Sequence, residues 1–315
     1  MTQATILTEP YAGLRTQAAG LAEAAGLTPA FVTLEPRIPW RWFGARHWPN
    51  PLAAVRLPPI ADGVLFPAGG TAAVIAAALR TPERPVVQVQ HPRIDPARFD
   101  LVVVNRHDGL TGPNVIVTRT ALHTATPARL AAAAALWAPR LAHLPRPLVA
   151  VLVGGSNGRF RLDRAVAEHL GAQLATMMRR DRVGVALTPS RRTAPEARAA
   201  LAAALAAAIE RPNATSAGWV WEMEGDNPYF GLLALADAII VTEDSVSMVS
   251  EAVATHAPVL VAPLPGRSRR IRLFNDLLMQ DGRTRPFTGR LETWSVQPID
   301  DTPAAGQEVR QRLGL

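Results

Sequence analysis

The chain has 315 residues, 48% of them apolar, with a formal net charge of +7 and no cysteine. The length exceeds one typical core, so two domains are expected. The missing thiols exclude disulfides, thiol nucleophiles and cysteine-ligated metals, which fits a cytosolic protein. No uncharged apolar run of about 18 residues occurs, and no basic n-region precedes an apolar segment, so neither a transmembrane helix nor a signal peptide is expected. All 33 cationic residues are arginine. Guanidinium forks suit phosphate and pyrophosphate, and a basic surface can also meet acidic lipid at the inner face of a membrane. Aromatic residues are only 5% and are not interleaved with the basic runs, which argues against a base-stacking nucleic-acid surface.

In chain order, Ala4 to Thr8 reads as a strand, Glu9 to Gly13 as a turn, Leu14 to Ala25 as an amphipathic helix and Phe31 to Leu34 as a second strand. Glu35 to Pro59 lacks a clear period and is rich in Pro, Trp and Arg, the pattern of a long ordered loop whose tryptophans pack beneath it. Gly63 to Phe66 is a strand, and Gly69-Gly70 leads into a helix from Ala72 to Arg80. Three further strands then end in polar turns: Val86 to Val89 before His91, Leu101 to Val104 before Asp108, and Val115 to Val117 before Thr118 to His123. In a parallel sheet such turns share one edge, which makes Glu9, His91 and Asp108 candidates for acid–base chemistry. Thr126 to Leu144 is a helix opened by a Thr-Pro cap, and Pro145-Arg146-Pro147 marks the expected domain boundary.

The second half repeats the alternation. Leu148 to Val153 is a buried strand followed by Gly154-Gly155-Ser156-Asn157-Gly158-Arg159, a glycine-rich turn without the P-loop or dinucleotide fingerprint that still offers N–H groups and an arginine to a phosphate. Val183 to Leu187 ends in a turn carrying Ser190 and Arg191, and Gly218 to Trp221 ends in one carrying Asn227. The stretch Asp237 to Val261 reads as strand, turn, helix, strand. Ala238 to Val241 is apolar and β-branched, Glu243-Asp244-Ser245 breaks it, Ser245 caps a helix carrying Ser247 and Glu251, and Val259 to Val261 is the next strand. Such a turn aims a helix N-terminus at the carboxyl edge of the sheet, where an anionic ligand is favoured. Ala304 to Leu313 is a further helix. The expected division is a first domain over 1–145, a second over 146–290 and a tail over 291–315 that packs back on the first.

Two Rossmann-like, doubly wound α/β domains facing a cleft, without a nicotinamide fingerprint, resemble the GT-B glycosyltransferase fold. Glu243 and Glu251 match the spacing of the E-x7-E motif of many retaining members. That resemblance implies that Glu251 bonds the ribose of a nucleotide-sugar and Glu243 faces the sugar. Asp244-Ser245 resembles the corresponding turn of heptosyltransferase-like and disaccharide-synthase-like members. A closer resemblance is carried by Val87 to Asp100, Gly112 to Thr118, Thr188 to Thr193, Gly225 to Gly231 and Val241 to Ala252. These segments are similar to the elongated-mitochondria (mitochondrial fission) family, whose bacterial members carry the label of nucleoside-diphosphate-sugar epimerase. Its plant members recruit a dynamin-related protein to mitochondria. The first turn departs from the family pattern, with Glu9-Pro10-Tyr11 where an Asp-Gly-type turn with a histidine is usual.

Three functions follow as expectations. The first is a metal-independent glycosyltransferase that uses a nucleotide-sugar as substrate, without a further cofactor, and acts on a cell-envelope or lipid-linked acceptor. In that reading Arg159, Arg191 and the amides near Gly154, Gly155 and Ser245 neutralise the departing diphosphate, with Ser156, Ser190, Asn227, Asp244 and Ser247 alongside. The second is a nucleotide-sugar 2-epimerase. The third is a non-catalytic adaptor for a protein or membrane partner.

Overall fold

The computed structural model describes residues 3–209 and 217–315. They divide into two compact units, Met1–Thr124 with Asp300–Leu315, and Ala125–Ile299. The first unit runs β1 (Gln3–Thr8), α1 (Ala12–Ala24), β2 (Thr28–Thr33), the short strands β3 (Glu35–Pro36) and β4 (Val55–Arg56), β5 (Val64–Ala68), α2 (Gly70–Leu79), β6 (Val87–Val89), β7 (Leu101–Asn105) and β8 (Val115–Thr118). The second runs α3 (Pro127–Leu141), β9 (Leu148–Val153), α4 (Arg164–Asp181), β10 (Gly184–Pro189), α5 (Pro195–Ile209), β11 (Ala217–Val220), α6 (Tyr229–Leu235), β12 (Ala238–Thr242), α7 (Val246–Val253), β13 (Val259–Ala262), α8 (Arg269–Gln280) and β14 (Thr284–Pro286). The last helix, α9 (Thr302–Leu313), belongs to the first unit.

Each unit holds a parallel six-stranded sheet, ordered β2-β1-β5-β6-β7-β8 in the first and β11-β10-β9-β12-β13-β14 in the second. Ranked along the chain, the second order is that of the dinucleotide-binding fold, and it reverses direction between β9 and β12. The first order reverses between β1 and β5. Ligands of open α/β sheets bind outside the carboxyl ends of the strands at such reversals. The strands form because apolar residues buried on both faces run continuously. All six residues of β9 are buried, with Val149, Val151 and Val153 in one core layer and Leu148, Ala150 and Leu152 in the other. That alternation is the two-residue period of a strand covered on both sides.

The division between units falls at residue 124, not at the Pro-rich segment near 145. The reason is α3, which packs against α6. Gly231 of α6 leaves no room for a Cβ, which would lie 2.5 Å from the Trp137 ring, and Trp137 and Trp219 have ring centroids 5.9 Å apart. Helix α9 packs on α1 through Gly306, where a Cβ would lie 2.4 Å from that of Ala24. It is tied down further by Arg310 Nη1 donating to Ala25 O at 2.9 Å and by Arg119 Nε donating to Asp301 Oδ1 at 3.0 Å.

Helices α6 and α8 and strand β14 are among the elements absent from the sequence reading. Helix α6 follows Pro228 inside a segment that reads as a polar turn. Helix α8 begins with an arginine cluster that hides its buried pair, Phe274 and Leu278 at i and i+4; Ser268 caps it by accepting from Ile271 N at 3.3 Å. Strand β14 is short and, among the described residues, pairs with β13 alone. The loop between β3 and β4 also differs from expectation. Trp48 is buried and Trp40 partly so, whereas Trp42 is 65% exposed.

Candidate functional site

The carboxyl ends of β9, β10 and β12 meet at the reversal of the second sheet, and Asp244 is the knot that joins them. Thr242 Oγ1 donates to Asp244 Oδ1 at 2.7 Å and accepts from Gly154 N at 2.8 Å. Gly155 N donates to Asp244 Oδ2 at 3.2 Å. Arg192 Nη2 stands 2.8 Å from the same oxygen, and Nη1 donates to Gly155 O at 3.2 Å. Ser190 joins the network by donating from Oγ to Gly154 O at 2.6 Å and from its backbone N to Val153 O at 2.8 Å. The Asp244 side chain is fully buried, while that of Arg192 is 40% exposed. The pair therefore holds a guanidinium at the surface in a fixed orientation, with three of its five N–H donors directed elsewhere than these two bonds.

This geometry changes the expected role of the glycine-rich turn. A Cβ on Gly154 would lie 2.3 Å from Asp244 Oδ1, and one on Gly155 would lie 2.2 Å from Arg192 O. The glycines are there so that the β12 and β10 turns can close on β9. Their amides donate to Thr242 and Asp244 and do not face outward as a phosphate cradle. Of two adjacent arginines, sequence reasoning chose Arg191, which is exposed; the one locked into the site is Arg192. Ser156 and Arg159 are exposed, with Ser156 Oγ accepting from Leu162 N at 2.9 Å and Arg159 O accepting from Arg267 N at 3.1 Å.

Helix α7 begins beside this knot. Ser245 caps it, its Oγ accepting from Met248 N at 3.4 Å, and Ser247 is half-buried in the first turn. Glu243 Oε1 accepts from Leu264 N at 2.6 Å, and burial raises its pKa. Glu251 is only 6% exposed. Burial lifts its carboxyl to about 7, against the lowering effect of a hydrogen bond from the Tyr229 hydroxyl. Burial and the neighbouring Glu251 push the Tyr229 hydroxyl well above the usual phenol range, so it stays protonated and donates. Tyr229 starts α6, where Asn227 Oδ1 accepts from its backbone N at 3.0 Å. Sequence reading assigns Tyr229 no role, although it lies in one of the family-like segments. At the other end of α7, the buried Arg283 donates from Nη2 to Thr255 O at 2.7 Å and Ala257 O at 3.0 Å, and from Nε to Val253 O at 3.1 Å.

In the first unit, Glu9 follows β1 at the reversal of that sheet and is half-buried. His91 follows β6 in a turn flanked by left-handed residues, Gln90 at φ 70° and Arg93 at φ 60°. Its Nδ1 accepts from Arg93 N at 3.0 Å, which leaves the proton of a neutral ring on Nε2. His91 Nδ1 must release that bond before it can accept a proton as a base. The Asp108 side chain is 3% exposed, with Oδ1 3.9 Å from His107 Nε2. Among the described residues no group of three or more His, Cys, Asp or Glu is placed to hold a metal ion, and no helix is long and apolar enough to cross a membrane.

Residues 12–313 match the family described as mitochondrial fission ELM1. The chain belongs to that family. The Arabidopsis thaliana mitochondrial fission protein ELM1 is 33% identical over 259 residues, covering 72% of this chain and 58% of the plant protein. The chain thus spans little more than half the length of that family member. Among solved structures, UDP-GlcNAc 2-epimerase from Neisseria meningitidis, bound to UDP-GlcNAc, aligns over 100% of both chains with a TM-score of 0.53 and 11% identity. MurG from Acinetobacter baumannii aligns over 100% of this chain and 91% of its own, with a TM-score of 0.51 and 13% identity. Likeness at such identities defines the fold, which is that of GT-B glycosyltransferases and epimerases.

Proposed function

We propose that the second unit binds the nucleoside-diphosphate part of a nucleotide-sugar at the carboxyl edge of its sheet, and that the protein is a GT-B-type glycosyltransferase. The observation that carries this reading is the Arg192 guanidinium, held by the buried Asp244 at the sheet reversal and partly open to solvent. A prepositioned arginine beside a helix N-terminus stabilises the charge that grows on a departing diphosphate, and it loses little side-chain entropy in doing so. Arg191 and Arg159, both exposed on neighbouring strand ends, add to the same field. These groups supply the neutralisation without calling on a metal ion. Glu251 would take the ribose once Tyr229 releases it, and Glu243 would face the sugar. Of the first-unit candidates, Glu9 is the one at a sheet reversal and is the proposed acceptor-side base. The acceptor we envisage is a cell-envelope or lipid-linked glycan.

Two other readings have support. The raised pKa values of Glu243 and Glu251 suit proton transfer to and from a sugar carbon, the chemistry of a 2-epimerase. Kinship with a plant protein named for mitochondrial fission supports an adaptor that has kept the fold. Incubation with nucleotide-sugars and a membrane-lipid extract, followed by NMR and nucleoside-diphosphate release, separates the three. Acceptor-dependent release supports the transferase. Isomerisation without release replaces it with the epimerase, and absence of both leaves the adaptor.

A further inference from the structure

The loop between β2 and β5 carries an apolar tip that nothing in the first unit covers. Its interior is well built. Trp48 and Ala45 lie in the core layer with Leu34, Ala54 and Val55, and Trp40 packs against them. Trp48 Nε1 donates to Phe43 O at 3.1 Å, Phe43 N to Trp40 O at 3.0 Å, Trp42 N to Pro39 O at 3.1 Å and Arg37 N to Ala54 O at 2.8 Å. These bonds fix two consecutive turns, Trp40–Trp42 and Ala45–His47. On this scaffold Ile38 is 65% exposed, Trp42 65% and Phe43 58%. Large apolar side chains held outward on a fixed turn are costly in water unless a partner covers them.

The charge around them is one-sided. Arg37, Arg41, Arg46 and Arg56 are all exposed, and Glu35 is the only acidic residue from position 31 to position 61. The Arg41 guanidinium stands 5.5 Å from the Trp42 ring centroid. Tryptophan with flanking arginine is the composition that settles at the headgroup level of a bilayer. The ring enters the acyl boundary while the guanidinium stays with phosphate, and anionic lipid adds Coulomb attraction.

We propose that the tip formed by Ile38, Trp42 and Phe43, ringed by Arg37, Arg41 and Arg46, is a peripheral anchor for an anionic lipid surface. The anchor is independent of the nucleotide site and stands whether or not the protein is an enzyme.

The test is co-sedimentation of the full chain with vesicles of phosphatidylcholine alone, or of equal parts phosphatidylcholine and phosphatidylglycerol. The wild type is expected to partition onto the anionic vesicles and to be released by salt. Trp42→Ser/Phe43→Ser is expected to lose on the order of tenfold in partition, and Arg37→Glu/Arg41→Glu a comparable factor. All four side chains are exposed, so both variants should keep the wild-type thermal transition, which is recorded alongside. Failure of the wild type to bind anionic vesicles overturns the proposal, as does equal binding to both vesicle types. Folded variants that bind like the wild type overturn it too.

Discussion

Replacing Glu251 with glutamine should make the second unit more stable at neutral pH, by an amount that depends on pH. The carboxyl has an ordinary value of 4.5 in the unfolded chain and is lifted to about 7 in the fold, chiefly by burial. Below pH 4.5 it is protonated in both states and costs nothing in proton linkage. Between the two values the unfolded chain ionises while the folded one holds its proton, so folding stability falls as pH rises. The interval is about 2.5 pH units, which at ~1.36 kcal/mol per unit amounts to about 3 kcal/mol by pH 8. Glu251→Gln keeps the shape, can still accept from Tyr229, and removes the titration. Thermal or urea unfolding of the wild type and the variant at pH 4.5 and pH 8 reads the difference. Near-equality is expected at the lower pH and a gain of up to about 3 kcal/mol at the higher one. A variant that is equally shifted at both, or destabilised only at pH 8, would refute the assignment of a buried, raised carboxyl.

Further expectations concern the frame around that residue. Asp244→Asn removes the charge that orients Arg192 and weakens a buried acceptor of three donors; it should cost about 1–3 kcal/mol in unfolding experiments and leave the far-ultraviolet spectrum unchanged. Gly154→Ala places a methyl where the Asp244 carboxylate sits and should destabilise by about 1–3 kcal/mol, with Gly154→Ala/Asp244→Gly less than additive in a double-mutant cycle. Arg283→Met removes the guanidinium that Val253 O, Thr255 O and Ala257 O accept from near the end of α7 and should cost about 2–4 kcal/mol; Arg283→Lys should recover only part, because an ammonium cannot span the same oxygens.

The fold was largely legible because its strands are buried on both faces. Continuous apolar runs such as Leu148 to Val153 and Ala238 to Val241 admit few other readings. The turn after β12 was legible for a related reason, since Glu243-Asp244-Ser245 interrupts such a run just before a helical period begins. What the sequence could not carry is contact over distance. Asp244 meets Arg192 and Gly155 only because three strands end together, and no local pattern separates Arg192 from Arg191. Tyr229 reaches Glu251 across 22 positions of chain. Helix α3 looks like the close of the first unit until Gly231 is seen to admit Trp137. In the β3–β4 loop, composition called for packed tryptophans, yet one of the three points outward, because a 3₁₀ turn sends neighbouring side chains in different directions.

A nucleoside-diphosphate site centred on Arg192 can be read out by calorimetric titration. A panel of nucleoside diphosphates and nucleotide-sugars is titrated into the wild type, Arg192→Gln and the exposed-loop control Arg56→Gln. At least one nucleotide is expected to bind the wild type and the control alike, and Arg192→Gln to lose at least about 1.4 kcal/mol, or tenfold. No binding across the panel, or binding that Arg192→Gln leaves unchanged, would contradict it.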